Sequence, residues 1–462
     1  MNLSLEQDFA LQKYKEGKNI FLTGPGGSGK TALIRQMVKI SQEQGKKIQV
    51  CALTGCAAIL LECKAKTVHS FAGIGLANGT IDEVVRRVIS NKYKVKNWLG
   101  VEILIIDEVS MMSSKLFDIL NYTAKRARKR VDIPFGGIQV IFSGDFYQLP
   151  PVGTHGQKDT SAFCFESEQW NNTFDETICL KTIFRQTDPE YTTILNQIRI
   201  GKLYKSAYEK LQEHMNKPPP TELELSASFK PTILLPRRKD AELINMTELE
   251  NLQGESKKYC VSIALDIPLP EKVKKQLSKT SLEQKEMEYN FLANNIMADK
   301  EIIIKIGTQV MCIANIDMES DQQVVNGSQG VVVGFVGELP LVQFNKGPRR
   351  TVGYHVWVSE SIPDVGVKQI PLIYAWAITI HKSQGVSLDM AQIDVGNNIF
   401  ECGQTYVALS RVKSLNGLYL THLNPQKIKV DKKVQEFYRE LNINKNIPNL
   451  NIFNHIIYQN PA

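Results

Sequence analysis

The segment Gly24-Pro-Gly-Gly-Ser-Gly-Lys30-Thr31 limits what this chain can fold into more tightly than any other stretch. It fits G-x4-GK[ST] at every position, follows an apolar run and opens a stretch with helical periodicity. Glycines let successive backbone N–H groups converge on phosphate oxygens, and a helix N-terminus adds positive potential there. In that setting Gly24, Pro25, Gly26, Gly27, Ser28 and Gly29 would cradle the phosphates of ATP. Lys30 would reach the β- and γ-phosphates, and Thr31 would ligate Mg²⁺.

Ile103-Leu-Ile-Ile-Asp107-Glu108 supplies a matching half: an apolar strand ending in two carboxylates, at the edge where α/β ligand sites form. Asp107 would hold Mg²⁺ through water, and Glu108 would orient or deprotonate the attacking water. Together the two segments indicate nucleotide hydrolysis. They do not choose among kinases, transporters, motors and helicases.

Asn19–Thr23, Ile48–Leu53, Val101–Ile106 and Ile138–Ser143 read as buried strands, with helices over Ala32–Gln44 and Lys115–Arg130. This alternation predicts an α/β fold with a doubly wound parallel sheet. Lys217-Pro-Pro-Pro-Thr221 marks a boundary or linker. Pro231–Leu235 and the stretch to Asn251 read as a further strand and helix. Residues 255–306 are lysine-rich and poorly patterned, and read as a peripheral, partly flexible insertion. Short strands and turns from Thr308 to Val358 suggest a small β-barrel, and Tyr374–Ile380 reads as a strand leading into a helix. The barrel is therefore expected as an insertion in a second α/β domain.

Composition sets outer limits. With 43% hydrophobic residues in 462, the chain can build cores and is not disordered throughout. A net charge of +7 is compatible with a polyanionic partner without requiring one. Apolar runs such as Leu372–Ile380 are about half the length of a membrane span. The first residues have neither signal- nor transit-peptide character, which suggests an intracellular protein, cellular or viral. The eight cysteines form no CxxC pair and read as reduced thiols.

Further strings resemble motifs of superfamily 1 helicases. LSLEQDFALQ (3–12) is similar to the adenine-reading Q motif, with Gln7 as the contact. ALTGCAAILL (52–61) and KTVHSFAGIGL (66–76) resemble the DNA-contacting segments, and GDFYQLPPV (144–152) the motif in which Gln148 senses the γ-phosphate. AITIHKSQG (377–385) and YVALSR (406–411) resemble the two late motifs. KLFDILNYTAKRARKRVDIPFGGIQ (115–139) closely resembles the signature of the petite-integration-frequency (PIF) family of superfamily 1B.

That resemblance implies two RecA-like parallel-sheet domains of the P-loop NTPase class, a small wedge insertion and an inserted barrel. The expected boundaries are 1–76 with 101–178 for the first domain and 77–100 for the wedge. The second domain is expected over 179–254 with 370–440, the barrel insertion over 255–369 and a tail over 441–462. A chain starting so close to Gln7 is expected to lack the long N-terminal regions of larger members. The implied activity is ATP-dependent 5′→3′ translocation on single-stranded DNA with duplex unwinding. The alternatives are a DNA-stimulated clamp or remodeller and a small-molecule kinase. Implied partners are single-stranded DNA and duplex or fork junctions, with G-quadruplexes and R-loops as candidates, for a monomer in solution.

The same resemblance makes Arg185 and Arg411 the activating arginines, guanidinium groups brought by a second domain to the triphosphate. It adds Gly385 to the nucleotide contacts and proposes Thr54, His69, Ser70, Phe71, Thr379, His381 and Lys382 for DNA. Phe71 is the candidate base-stacking ring. The basic run Lys125–Arg130 reads either as a solvated helix end or as a guide for phosphates.

Overall fold

The computed structural model describes residues 3–441, apart from 55–56, 59–60, 62, 64, 76, 154–157, 216, 219–229, 265–266, 268–279, 315, 317–323, 325–326, 346–348, 360–361 and 363. The expected tail therefore lies outside the described residues, Leu441 excepted. The chain forms two compact units. Of the described residues, the first takes those up to Leu203, Glu401–Ser410 and 428–441; the second takes those within Tyr204–Phe400 and Arg411–Lys427.

In the first unit six strands pair in parallel: β1 (Ile20–Thr23), β2 (Ile48–Ala52), β3 (Lys66–Thr67), β4 (Ile103–Asp107), β5 (Gln139–Ser143) and β6 (Glu176–Cys179). Their order is β3-β2-β4-β5-β1-β6. Apolar residues fill both faces of β1 and β4, as strands covered on both sides by helices require. Because every strand runs the same way, the segment after β1 and the carboxylates ending β4 emerge at one edge of the sheet.

The stretch that carries the family resemblance has a structural reason. Helix Ser114–Arg128 turns back through Pro134–Gly137 onto its own side. Asn121 Oδ1 accepts from Phe135 N–H at 2.9 Å, and the Phe135 ring meets Phe117 and Phe142 edge-on. Arg128 donates to the carbonyls of Gly136, Trp98 and Val101. Lys125 and Arg126 bond Gln169 and Asp82. Arg128 is thus committed to the fold, while Arg126 stays 44% exposed in a surface pair.

The second unit holds a four-stranded parallel sheet, ordered Ala377–Thr379, Thr232–Leu235, Ala391–Val395, Leu418–Leu423. Its other strands form antiparallel sheets of five, three and two strands. Ser256–Cys260, Ser262–Ile263 and Glu301–Lys305 belong to these, so the stretch read as poorly patterned contributes ordered strands. Glu301–Lys305 alternates exposed and buried positions, a period its three consecutive isoleucines do not display in the string.

Two further expectations need correction. Ala377–Thr379 runs into a series of turns, not a helix, around Gly385 at φ +81°. Residues 180–203, 401–410 and 428–440 pack with the first unit, although the sequence assigned them to the second. Pairing of β6 with β1 and the Tyr191 hydroxyl bond to Leu409 O at 2.7 Å hold them there.

At Gly136, with φ +59°, a Cβ would stand 2.7 Å from the Ala124 carbonyl oxygen, whereas at Gly45, with φ +67°, it would meet open space. Gly136→Ala should therefore destabilise the first unit by about 2–3 kcal/mol and Gly45→Ala by about 1 kcal/mol. The check is the first thermal unfolding transition of each variant; equal shifts would contradict the packing argument.

Candidate active site and nucleic-acid contacts

The loop after β1 closes on itself because glycine stands where no other residue fits. Gly24, Gly27 and Gly29 have φ of +143°, +82° and +84°. A Cβ on Gly24 would meet Leu180 O at 2.5 Å, and one on Gly27 would meet Arg185 Cβ at 2.5 Å. Helix Lys30–Glu43 begins directly at Gly29 without a side-chain cap, leaving its first N–H groups for another acceptor. Lys30 Nζ bonds Gly24 O at 2.6 Å and Pro25 O at 3.1 Å. Burial pushes its pKa below the ordinary value, against the pull of Asp145, Glu108 and Asp107.

Asp107 ends β4 with its carboxylate beside Thr31 and Lys30. Burial raises its pKa; the Glu108 N–H, Lys30 and Thr31 act in the opposite direction. Glu108 follows in the left-handed region, φ +56° and ψ +38°, at a cost of about 1–3 kcal/mol for a side chain with a Cβ. Such strain turns its carboxylate away from the line of β4.

Gln148 sits in a turn closed by its own N–H to Asp145 O at 2.9 Å. Gly403 lets the chain pass tightly against it, since a Cβ there would lie 2.4 Å from Gln148 O. Asp145, fully buried, accepts two bonds from Arg199, at 2.9 and 2.8 Å. Burial alone would lower the Arg199 pKa, but Asp145 lifts it well above the usual value. Two further contacts reach the loop from late in the chain: Tyr406 Oη accepts from Gly26 N–H at 2.9 Å, and Ser410 O accepts from Arg185 and Gln186.

Arg185 therefore comes from the same unit as the phosphate loop, with Glu108 close enough to act on its charge. This corrects its assignment to the second domain. Arg411 belongs to the second unit, where its guanidinium bonds Ser383 O at 3.5 Å and its carbonyl accepts from Leu388 N–H at 2.9 Å. Gly385 lies in that unit also.

The residues of the first unit fit ATP with Mg²⁺. Ser28 is 1% exposed and its hydroxyl finds no hydrogen-bond partner among the described residues, as a group waiting for phosphate would. Thr31 and Asp107 are neighbours, the pair a P-loop uses to hold Mg²⁺ with phosphate and water completing the shell. Gln7 is buried, and its Oε1 accepts from Ser4 N–H at 3.0 Å while Nε2 comes within 2.8 Å of a Cβ placed on Gly29. One residue escaped the sequence reading. Phe184 is 53% exposed, with its ring 3.4 Å from that same position. A bare aromatic face beside Gln7 suits a purine base. Its place in TIFRQ, one residue before Arg185, was the available signal.

The DNA candidates divide. Thr54 and His69 line one cleft of about 220 Å³ with Asn78, Ser113 and Lys115. Lys115 was not singled out from sequence for this role. Ser70 uses its backbone N–H to cap on Thr67, leaving its side chain half-buried. Phe71 is 4% exposed, its ring 4.9 Å from that of Trp98 in the core. A base cannot reach it, so the stacking assignment is corrected: the helix Val68–Ala72 turns this side inward. In the second unit Thr379 Oγ1 accepts from Lys382 N–H at 3.1 Å, and His381 faces the exposed Phe400. Burial lowers the pKa of both His69 and His381 from the ordinary histidine value, which favours their neutral form.

Phe184→Ala should raise KM for ATP about 3–10-fold, the size of one aromatic stack, with kcat nearly unchanged. Steady-state hydrolysis over a range of ATP concentrations checks this; an unchanged KM would remove Phe184 from the nucleotide site.

Comparison with known proteins gives the same direction. A family model described as "PIF1-like helicase" matches residues 2–207. The chain is 35% identical to ATP-dependent DNA helicase Pif1 of Bdellovibrio bacteriovorus over 95% of its own length and 92% of that protein. It is 34% identical to ATP-dependent DNA helicase PIF1 of Emericella nidulans over 92% of its length, but spans only 61% of that relative. The crystal structure of Bacteroides Pif1 in complex with ADP-AlF4 superposes with a TM-score of 0.74 at 28% identity, covering 95% of this chain and 97% of that one. The chain belongs to the PIF1-like helicase family.

Proposed function

We propose that the chain is an ATP-dependent DNA helicase that moves 5′→3′ on single-stranded DNA and separates duplex ahead of it. The observation that carries the ATPase part is the convergence within one unit of a glycine cradle, Lys30, two carboxylates, Gln148 and Arg185. Backbone N–H groups and Lys30 would hold the triphosphate. Glu108 would align the attacking water and take its proton, with Gln148 reporting on the γ-phosphate and Arg185 offsetting charge as it develops. Mg²⁺, held by Thr31 and Asp107, would neutralise phosphate oxygens when bound. Arg411 would join from the second unit on closure, a step that couples turnover to movement.

DNA binding rests on the family and on the cleft around Thr54, His69 and Lys115. Polar side chains and backbone groups there suit phosphates, which every sequence presents alike. We assign the helices between 81 and 100 to duplex separation and the antiparallel sheets to steering the strand, on the family resemblance alone. Fork junctions are the expected substrate of a monomer; G-quadruplexes and R-loops are further candidates.

Two labelled duplexes, one with a 5′ and one with a 3′ single-stranded tail, test the reading. With ATP the first should be unwound and the second left intact. Unwinding from the 3′ tail would reverse the polarity. DNA-stimulated hydrolysis without displacement of either would replace the helicase with a clamp or remodeller.

A further inference from the structure

The last described helix, Lys432–Glu440, carries an aromatic residue that the account of hydrolysis above does not use. Tyr438 belongs to the first unit, more than four hundred residues from the strand it touches. Its hydroxyl lies 2.7 Å from Thr23 Oγ1, accepts from Phe146 N–H at 3.2 Å and faces Asp145 Oδ1 at 3.5 Å. Thr23 is the final residue of β1, immediately before the glycine cradle, and Phe146 lies two residues before Gln148. One oxygen thus spans the two segments that must keep a fixed spacing if the γ-phosphate is to be held and sensed.

The surroundings leave that oxygen little freedom. The Tyr438 ring stacks on Tyr147 at 4.6 Å with 10° between planes, and the Arg199 guanidinium lies against both rings, 4.6 Å from that of Tyr147 and 5.8 Å from that of Tyr438. Arg199 in turn is clamped by Asp145. Phe437 next to it packs flat on Phe165 at 4.2 Å, which anchors the helix independently of the hydroxyl. Burial keeps Tyr438 protonated well above its ordinary pKa, so it can donate at any physiological pH.

We propose that Tyr438 is a positioning residue for ATP hydrolysis, its hydroxyl fixing the loop that carries Gln148 against the strand end that carries the phosphate cradle. This rests on the ATPase reading above. Arg199 and Tyr147 serve the same end by holding the ring and the Asp145 carboxylate in register.

The test uses the full chain and measures DNA-stimulated ATP turnover in Tyr438→Phe, Thr23→Val, their double variant and Thr23→Ser. Tyr438→Phe keeps the ring stack and removes only the hydroxyl. It should lower kcat about 5–10-fold, the size of one lost hydrogen bond, with KM for ATP changed less than about twofold. Thr23→Val should match it, the double variant should fall no further, and Thr23→Ser should restore near-normal kcat. A purely packing role would leave Tyr438→Phe at wild-type kcat or make the two losses additive; either result overturns the proposal. Should Tyr438→Phe not fold, Thr23→Val with normal kcat overturns it equally. A wild-type chain without ATP turnover would remove the ATPase reading itself, and the proposal with it.

Discussion

The first unit depends on a loop that cannot hold its own shape. Between β1 and helix Lys30–Glu43 the backbone must aim several N–H groups at one point, and glycine gives the required angles at the cost of stiffness. Stiffness comes from outside the loop. Leu180 and Arg185 stand against Gly24 and Gly27 at distances that exclude a side chain, and Tyr406 holds the Gly26 amide. Two stretches widely separated in sequence, 180–185 and the one carrying Tyr406, therefore converge on six residues of loop. This explains why Glu401–Ser410 packs with the first unit although the chain has by then passed through the second.

Charge is handled by the same economy. Lys30, Asp107 and Arg199 are all withdrawn from solvent, and each is unfavourable there without a partner. Asp145 and Arg199 answer each other through two bonds, a closed pair next to the Gln148 turn. Lys30 hydrogen-bonds two carbonyl oxygens, and Asp107 is pushed toward protonation by burial. A triphosphate and its cation would bring both groups the opposite charge they favour.

Much of this was legible in the sequence, for a physical reason. A phosphate cradle needs contiguous residues, so its pattern survives in the string; so does an apolar strand ending in Asp107 and Glu108. Four of the six parallel strands followed from alternation, with boundaries shifted by one or two residues, whereas the short β3 and the edge strand β6 did not. What the string concealed are contacts made at long range. Phe71 has the composition of a stacking residue and becomes core because Trp98, far along the chain, packs against its ring. Arg128 sits in a basic run that suggests phosphate, yet three carbonyls claim it. Phe184 has only its place beside Arg185 as a local signal and Tyr438 none beyond being aromatic, and the fold sets one beside Gln7 and the other beneath Asp145.

The central claim is that this nucleotide site is driven by single-stranded DNA. ATP turnover by the full chain, measured with and without an oligothymidylate, tests it most directly. The account predicts stimulation on the order of tenfold or more, as expected when a second ligand reorganises a half-assembled site. Equal turnover in the presence and absence of the oligonucleotide would contradict it.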